Sequence, residues 1–403
     1  MHLARARLLA QVGRSTDAVE ELGRLDASPL SSVAGRLAGD ILFEGGRFGD
    51  AVQVYSPLIE SPESGRTVHA RRALALFRLD RLKEARRAAA EFSKRFGDDS
   101  PWPLVFRLEE GRFRLRHREF DRALKLFREI EKDAPESPMS PAEFEETDAT
   151  LRHMASAPAV AAAYFAATAL WEQNRTAPAE ERAGAALAAQ LDFVDRFPDS
   201  PHAAEVHLRL GHYHYDVLDL HLQAARYFRA ALEGSGALEQ RRGAIWMLLR
   251  CYEKTYEYDE AHRTALRLLR EYPDHPRAHD VQLKIGSILL EKGQNTEAIA
   301  YLEQVLEWAE GDEAAEARFS IGQAFQSMAQ YRKAIESYYK VSYHGADSAA
   351  MWVTSADFRR AQCYEKLTEY GQAAKVYQRI VQREGSDSAF GSGALERLNL
   401  LPK

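Results

Sequence analysis

The sequence predicts an all-α protein, a solenoid of about ten helical hairpins stacked along the chain. Three observations support this prediction. An alanine recurs at intervals of mostly 34 to 39 residues, with apolar residues about four and seven positions after it. A small residue precedes several of these alanines by 12 positions, and prolines follow some of them by about 12. Apolar residues at helical spacing, repeated at such a period, are typical of stacked helix pairs.

Each recurring alanine lies in the second helix of its predicted hairpin, as in "GRFGDAVQVYSPLIESP" (46–62) and "AQYRKAIESYYKVSYHG" (329–345). We count each hairpin from its alanine as the twentieth residue. The clearest cases are Ala51, Ala123, Ala261, Ala298, Ala334 and Ala373, and the remaining intervals are filled by Ala18, Ala85, Ala186 and Ala224.

Small residues 12 positions before the alanines predict close contact between the two helices of a hairpin. This position holds Gly39, Gly111, Gly286, Gly322 and Ala361, with Gly211 offset by one residue. Small side chains let antiparallel helices approach closely, while residues at helical spacing interlock between them. Proline cannot continue a helix, so Pro135, Pro198 and Pro273 are predicted to end second helices.

This spaced pattern of small, aromatic and proline positions resembles the tetratricopeptide repeat (TPR) family over nearly the whole chain. The resemblance implies a right-handed superhelix whose first helices line a concave groove. It also implies a non-enzymatic scaffold or adaptor that binds partner proteins or peptides there. The repeat spacing, with "FPDSP" (197–201) and "YPDHP" (272–276) between hairpins, looks most like bacterial arrays found in periplasmic Tol–Pal-associated proteins and outer-membrane-assembly lipoproteins. The alternative function is therefore a structural subunit of a bacterial cell-envelope or secretion assembly, joined through its outer surfaces.

One segment interrupts the array. Residues 134–158 are rich in Pro and Ser and then acidic, which breaks the repeat register. We expect hairpins one to four at 1–135, a hinge or an inserted lobe at 136–157, and hairpins five to ten at 158–385. Residues 174–181 lengthen the turn inside the fifth hairpin, and a capping helix is predicted within 386–403.

Composition limits the possible compartments and partners. The 403 residues are 45% hydrophobic and 28% charged, with a net charge of −6, which is typical of a globular protein. The longest apolar run, 157–171, is short and mostly alanine, so no membrane span is expected.

The N-terminal residues lack a cleavable signal but begin inside a helical pattern. Two alternatives follow: a periplasmic or envelope protein whose N-terminal signal or anchor has been removed, or a cytoplasmic one.

No catalytic, metal or cofactor site is predicted. Five histidines fall within residues 202–221, yet "HLRLGHYHYD" lacks the H-E-x-x-H spacing of a zinc hydrolase. A metalloenzyme centred on His207, His212, His214 and Asp216 is kept as a remote alternative. Phosphate-loop, dinucleotide and nucleophile-elbow motifs do not occur. Cys251 and Cys363 occupy equivalent places three hairpins apart and are expected to be buried and unpaired.

A partner site is predicted on the first helices of hairpins six to ten. The fifth positions hold Leu208, Trp246, Leu283, Phe319 and Phe358, and the ninth positions hold His212, Arg250, Ser287, Gln323 and Gln362. An apolar strip beside a hydrogen-bonding strip suits an extended peptide or a partner helix. The alternative is that the fifth-position side chains only pack between neighbouring helices.

A second candidate site lies in the arginine-rich segment 107–128. Arg112 and Arg116 fall on groove positions of hairpin four and could hold an acidic partner segment. Residues 1–135 carry 25 basic and 21 acidic residues, a net charge of +4, whereas the remainder carries −10. The alternative is a solvated helix face offset by neighbouring carboxylates. Nucleic-acid binding is not expected, because no consistently basic face or aromatic platform accompanies the arginines.

Overall fold

The computed structural model describes residues 1–25, 31–61, 64–97, 101–134, 157–176, 180–234, 237–344 and 350–402. All regular secondary structure in these ranges is helical, as predicted. None of the helices described there is both long enough and apolar enough to cross a bilayer.

The described residues form 21 helices. They are α1 His2–Gln11, α2 Ser15–Gly23, α3 Ser31–Glu44, α4 Phe48–Leu58, α5 Arg66–Arg78, α6 Leu82–Phe96, α7 Trp102–Arg116, α8 Phe120–Asp133, α9 Pro158–Thr176, α10 Glu180–Arg196, α11 Ala203–Asp216, α12 His221–Glu233, α13 Leu238–Lys254, α14 Tyr258–Glu271, α15 Ala278–Glu291, α16 Asn295–Val305, α17 Gly311–Ser327, α18 Tyr331–His344, α19 Ala350–Lys366, α20 Tyr370–Glu384 and α21 Ala389–Leu400. Taken in pairs, α1 to α20 make ten hairpins, and α21 packs on the tenth.

The repeat register predicted from the sequence is confirmed. All ten alanines at the twentieth position lie in second helices and are at most 1% exposed. The second helices α10 and α14 end at Arg196 and Glu271, just before Pro198 and Pro273. Cys251 and Cys363 are buried and unpaired, and burial raises the pKa of their thiols to about 12 and about 11.

The small residue of the first helix is matched by a large one in the second helix, four positions after the alanine. A Cβ atom added to Gly322 would lie 2.5 Å from the ring of Tyr338, which is fully buried. The same relation joins Gly211 to Phe228, with a distance of 2.7 Å. The missing side chain thus creates the space that the aromatic ring fills, which sets the distance between the two helices.

Each described turn inside a hairpin contains one residue with positive φ, five positions before the alanine. It is glycine in three hairpins, but Tyr256 (φ 59°) and Thr368 (φ 58°) adopt the same conformation. The next residue's backbone N–H then bonds back into the first helix, as from Glu257 to the carbonyl of Tyr252 at 2.9 Å. This bond satisfies a carbonyl at the helix end and reverses the chain.

The described chain divides into two compact units, Met1–Val206 and His207–Lys403. The boundary falls inside α11, whereas the sequence analysis placed a hinge or inserted lobe at 136–157. Residues 135–156 lie outside the described residues, so that expectation stays a prediction. In the C-terminal unit, one large core joins hairpins six to eight, with Phe228, Leu249 and Leu268 at its centre.

Candidate partner-binding surfaces

The fifth-position side chains of hairpins six to ten lie mostly within the helix packing. Leu283 and Phe319 are only 6% and 8% exposed and belong to hydrophobic cores. Leu208 and Trp246 are half-buried against the core of hairpins six to eight, and Phe358 is half-buried against a core in hairpin ten. The packing alternative accounts for the two buried members of this strip, and only the half-buried three keep part of their surface exposed.

The ninth-position polar residues are more accessible. The guanidinium of Arg250 lies 5.3 Å from the centre of the Tyr215 ring, which orients it. His212 is about half exposed, and its Nδ1 atom lies 3.6 Å from a carboxylate oxygen of Asp216. The remaining members of this strip, Ser287, Gln323 and Gln362, are half-buried. These side chains can donate hydrogen bonds along the first helices of the C-terminal unit.

The arginine-rich segment is offset by carboxylates within the fold. Arg112 donates to Glu109 at 2.5 Å, and its guanidinium lies 5.1 Å from the Phe165 ring centre. Arg116 donates to Asp80 at 2.8 Å. The same holds for Arg107 with Asp133, Arg114 with Glu110 and Glu119, and Arg122 with Glu119. The geometry of this segment therefore matches the alternative of a self-neutralised face.

A cavity not anticipated from the sequence opens across the first helices of hairpins one to three, and we call it the N-terminal groove. Its volume is about 420 Å³. Leu37, Ile41 and Ala10 contribute apolar surface, and polar side chains surround them. The full lining is Arg7, Ala10, Gln11, Arg36, Leu37, Asp40, Ile41, Glu44, Thr67 and Arg71. An apolar floor with polar groups around it suits a bound peptide segment.

The acidic charge of the N-terminal groove is largely neutralised by one buried arginine. Arg71 is 3% exposed and lies 2.8 Å from Asp40 and 3.4 Å from Glu44. Asp40 also accepts a hydrogen bond from the Tyr55 hydroxyl at 2.7 Å. Burial and this neighbouring carboxylate both raise the pKa of Tyr55, so the phenol stays a donor.

Two exposed arginines of the groove remain available to a ligand. Arg36 approaches Asp40 only to 3.9 Å, and that carboxylate is already bonded to Arg71 and Tyr55. Arg7 forms no ion pair with any residue that the structure describes. A guanidinium carries five donors and matches a carboxylate in a bidentate pair. The groove therefore exposes two guanidinium groups of a shape suited to pairing with carboxylates.

The repeat register contained the signal for this groove. Arg7 and Arg36 occupy the ninth position of hairpin one and the fifth position of hairpin two, counted from Ala18 and Ala51. The partner-binding positions predicted from the repeat count lie in hairpins six to ten, and the predicted N-terminal basic candidates lie in the arginine-rich segment 107–128. Most arginines of that segment are paired with carboxylates of the fold, so a high density of arginines in the sequence did not identify Arg7 and Arg36.

The five clustered histidines are spread over different environments. His202 stacks on Tyr164 with ring centres 4.0 Å apart. The Nδ1 atom of His214 lies 2.8 Å from the carbonyl oxygen of Leu210 in the same helix, and His212 faces solvent. Across the ranges described above, no group of three His, Cys, Asp or Glu side chains is arranged to hold a metal ion.

His207 predicts a pH-dependent stability. Neither ring nitrogen has a hydrogen-bond partner among the residues that the structure describes, and burial lowers the pKa of the imidazole below its ordinary value of 6.5. The unfolded chain therefore binds this proton more readily, so stability is unaffected above pH 6.5 and falls as the pH drops below it. When the pH is lowered from about 7.5 to about 5, we expect the free energy of unfolding to fall less in His207→Phe than in the wild type.

Urea unfolding of both proteins at the two pH values measures this difference. His262→Gln serves as the matched comparison. Burial and Lys292 lower the pKa of that histidine too, so this variant should also lose less stability on acidification than the wild type. Equal loss of stability on acidification in the wild type and His207→Phe would contradict the prediction.

Comparisons with known proteins describe the repeats. Tetratricopeptide repeat family models match residues 36–101, 277–342 and 355–385. A search of curated protein sequences found no match. Similar solved structures include MamA, residue 41 to the end, of Desulfovibrio magneticus RS-1, with 18% identity over 46% of this chain and 97% of that chain, at a TM-score of 0.38.

Two further structures show the same kind of similarity. Yeast Tom70 is 12% identical over 99% of this chain and 94% of its own, at a TM-score of 0.35. TTC0263, a thermophilic TPR protein of Thermus thermophilus, is 17% identical over 49% of this chain and all of its own, at 0.33. The family matches fall on hairpins two, three, eight, nine and ten, so these five hairpins are tetratricopeptide repeats.

Proposed function

We propose that the protein is a non-enzymatic scaffold that holds an extended segment of a partner protein in its N-terminal groove. The observation that carries this proposal is the cavity across α1, α3 and α5, lined by two exposed arginines whose charge the fold leaves available. Stacked hairpins present successive first helices side by side, which gives a continuous surface for an extended chain.

The dimensions fit a short peptide. Packed helices lie about 8–10 Å apart, so three first helices span about 20 Å. An extended chain advances about 3.3 Å per residue, and about six residues would therefore cross the groove. Acidic side chains of that segment would pair with Arg7 and Arg36, while its apolar side chains would contact Leu37 and Ile41.

The C-terminal unit supplies a further set of proposed contacts. Leu208, His212, Trp246, Arg250, Gln323, Phe358 and Gln362 stay candidates there, since each keeps some accessible surface on a first helix. Trp246→Ala and Arg250→Glu test these contacts: if the residues bind a partner, each variant should recover less of it in an affinity purification. The narrower relation to envelope-assembly arrays stays an expectation from the sequence.

The double variant Arg7→Glu/Arg36→Glu tests the groove. We expect it to lose at least about tenfold in affinity for partners that co-purify with the wild type, because charge-assisted hydrogen bonds are replaced by repulsion. Quantitative affinity purification followed by mass spectrometry measures the recovery of each partner.

Arg87→Glu/Arg122→Glu is the matched control, since it makes the same charge change on solvent-facing second helices. Arg87 and Arg122 have 84% and 72% exposed side chains. If the groove variant and this control recover the same partners in the same amounts, the groove is not the binding site.

A further inference from the structure

The turn between α11 and α12, together with the first residues of α12, exposes four large apolar side chains within six consecutive residues. Val217 is 64% exposed, Leu218 38%, Leu220 48% and Leu222 56%, and we call these residues the apolar turn. The corresponding turn of hairpin eight is Lys-Gly-Gln at 292–294, and that of hairpin two is Gly-Gly-Arg at 45–47. Clustered exposed apolar side chains mark a site of interaction.

The backbone of the apolar turn is held in place. The N–H of Leu218 donates to the carbonyl of Tyr213 at 3.2 Å, and the N–H of Leu220 donates to that of His214 at 2.8 Å. Asp219 takes the positive-φ place, with φ 55°, which aspartate tolerates better than a leucine would. The apolar side chains therefore project from a preorganised turn, so binding costs little ordering of the backbone.

Carboxylates border the apolar turn on both sides of its first leucine. The Asp219 side chain is 91% exposed, and that of Asp216 is 60% exposed. Their contacts are with histidines: Asp219 lies 3.1 Å from Nε2 of His221, and Asp216 lies 3.6 Å from Nδ1 of His212. The surface thus combines an apolar centre with an acidic border.

We propose that the apolar turn binds an amphipathic helix of a partner protein whose apolar side is bordered by lysine or arginine. A bilayer would have to take up the Asp219 carboxylate between the leucines, at the desolvation cost of a charge. A second copy of this chain would bring Asp216 and Asp219 against their own counterparts. A basic amphipathic helix satisfies both the leucines and the carboxylates. This surface uses no residue of the N-terminal groove and does not depend on the function proposed for it.

A pair of designed helical peptides tests the proposal. The two share the same leucine positions, and their polar faces carry only lysine or only glutamate. Fluorescence anisotropy of each labelled peptide with the full chain gives its affinity. We expect the lysine peptide to bind at least about tenfold more tightly than the glutamate peptide, and Leu220→Ser/Leu222→Ser to weaken it by about 10- to 100-fold.

Three controls separate the alternatives. Leu266→Ser replaces a single exposed leucine on α14, 45% exposed, and should leave binding unchanged. Asp216→Asn/Asp219→Asn should reduce the ratio between the affinities for the lysine and the glutamate peptide. Arg7→Glu/Arg36→Glu should leave both affinities unchanged. Circular dichroism confirms that each variant is folded.

Other outcomes would overturn the proposal. These are equal affinity for the two peptides, binding that Leu220→Ser/Leu222→Ser leaves intact, and capture of the protein by phosphatidylcholine–phosphatidylserine vesicles that the same substitutions abolish. A dimer in analytical ultracentrifugation that the serine variant dissociates would assign the turn to a second copy instead.

Discussion

Replacing Asp357 by alanine is expected to destabilise hairpins nine and ten by about 3–5 kcal/mol. Asp357 is 1% exposed and lies on α19, where its carboxylate contacts side chains of α18 and α20. One carboxylate oxygen accepts from the Ser342 hydroxyl at 2.8 Å and lies 2.8 Å from Nη2 of Arg360, and the other accepts from Arg383 at 3.0 Å. This one side chain therefore joins three helices.

The large effect comes from the arginine that would be left behind. Arg360 is 4% exposed, and within the described part of the chain its Nε atom has no hydrogen-bond partner. Burial lowers the pKa of this guanidinium, with Asp357 opposing the shift. Removing the carboxylate leaves a buried cation without its counter-ion, which costs much more than the net stabilisation that the intact pair provides.

Hydrogen exchange of the α19 and α20 amides measures the effect, because a repeat array need not unfold in one step. The double variant Asp357→Leu/Arg360→Met is the control. It removes both charges together, and we expect it to recover most of the lost stability, since apolar residues of similar volume often replace a buried ion pair at little cost. If Asp357→Ala changes the opening free energy of these amides by under about 1 kcal/mol, this account of the network is wrong.

The sequence predicted the hairpins well because their determinants are local. Ala334 and Gly322 lie 12 residues apart. Tyr338 packs against the Gly322 position and shares a buried core with Ala334, so the spacing of these residues along the chain is enough to predict this packing. The Asp357 network could not be predicted in this way. Its partners Ser342 and Arg383 lie 15 and 26 residues away, on two other helices, and pairing them requires the geometry between hairpins.

The binding surfaces were harder to predict for a similar reason. The repeat register gives the face of a helix on which a residue lies, but not how its charge is neutralised. Arg112 and Arg7 occupy the same ninth position, yet Glu109 bonds to Arg112 while Arg7 has no described ion partner. The apolar turn could not be predicted from the register, because apolar residues such as Val217, Leu218 and Leu220 are of the kind that a helical core usually buries, and spacing does not show that they are exposed.

Replacing Gly322 by leucine is expected to destabilise hairpin nine by about 3 kcal/mol or more, at the upper end of overpacking effects. A Cβ atom there would lie 2.5 to 2.9 Å from three atoms of the Tyr338 ring. Tyr338 is fully buried, and its hydroxyl donates to Gln326 at 2.8 Å, so the ring cannot move aside without losing that bond. The two helices must separate instead.

Hairpin seven contains the natural solution to this clash. There, the position of Gly322 holds Leu249, the position of Tyr338 holds Ala265, and both side chains are fully buried. In hairpin seven the first helix supplies the large side chain and the second helix the small one, which is the reverse of hairpin nine. In both hairpins one large and one small residue fill the space between the helices. We therefore expect Gly322→Leu/Tyr338→Ala to be more stable than Gly322→Leu, although Tyr338→Ala alone leaves a cavity and is itself destabilising.

A double-mutant cycle on these two positions, followed by hydrogen exchange of the α17 and α18 amides, gives the coupling between them. Gly243→Ala is the matched control for adding a side chain to a helical glycine. A Cβ atom at Gly243 would meet no atom within 4 Å, so this substitution should stabilise α13 by about 0.5–1 kcal/mol, whereas Gly322→Ala should destabilise hairpin nine. If the change in free energy of the double variant equals the sum of the changes of Gly322→Leu and Tyr338→Ala, the glycine and the tyrosine do not set the distance between the two helices. A coupling of at least about 1 kcal/mol in favour of the exchanged pair would show that either helix can supply the large side chain.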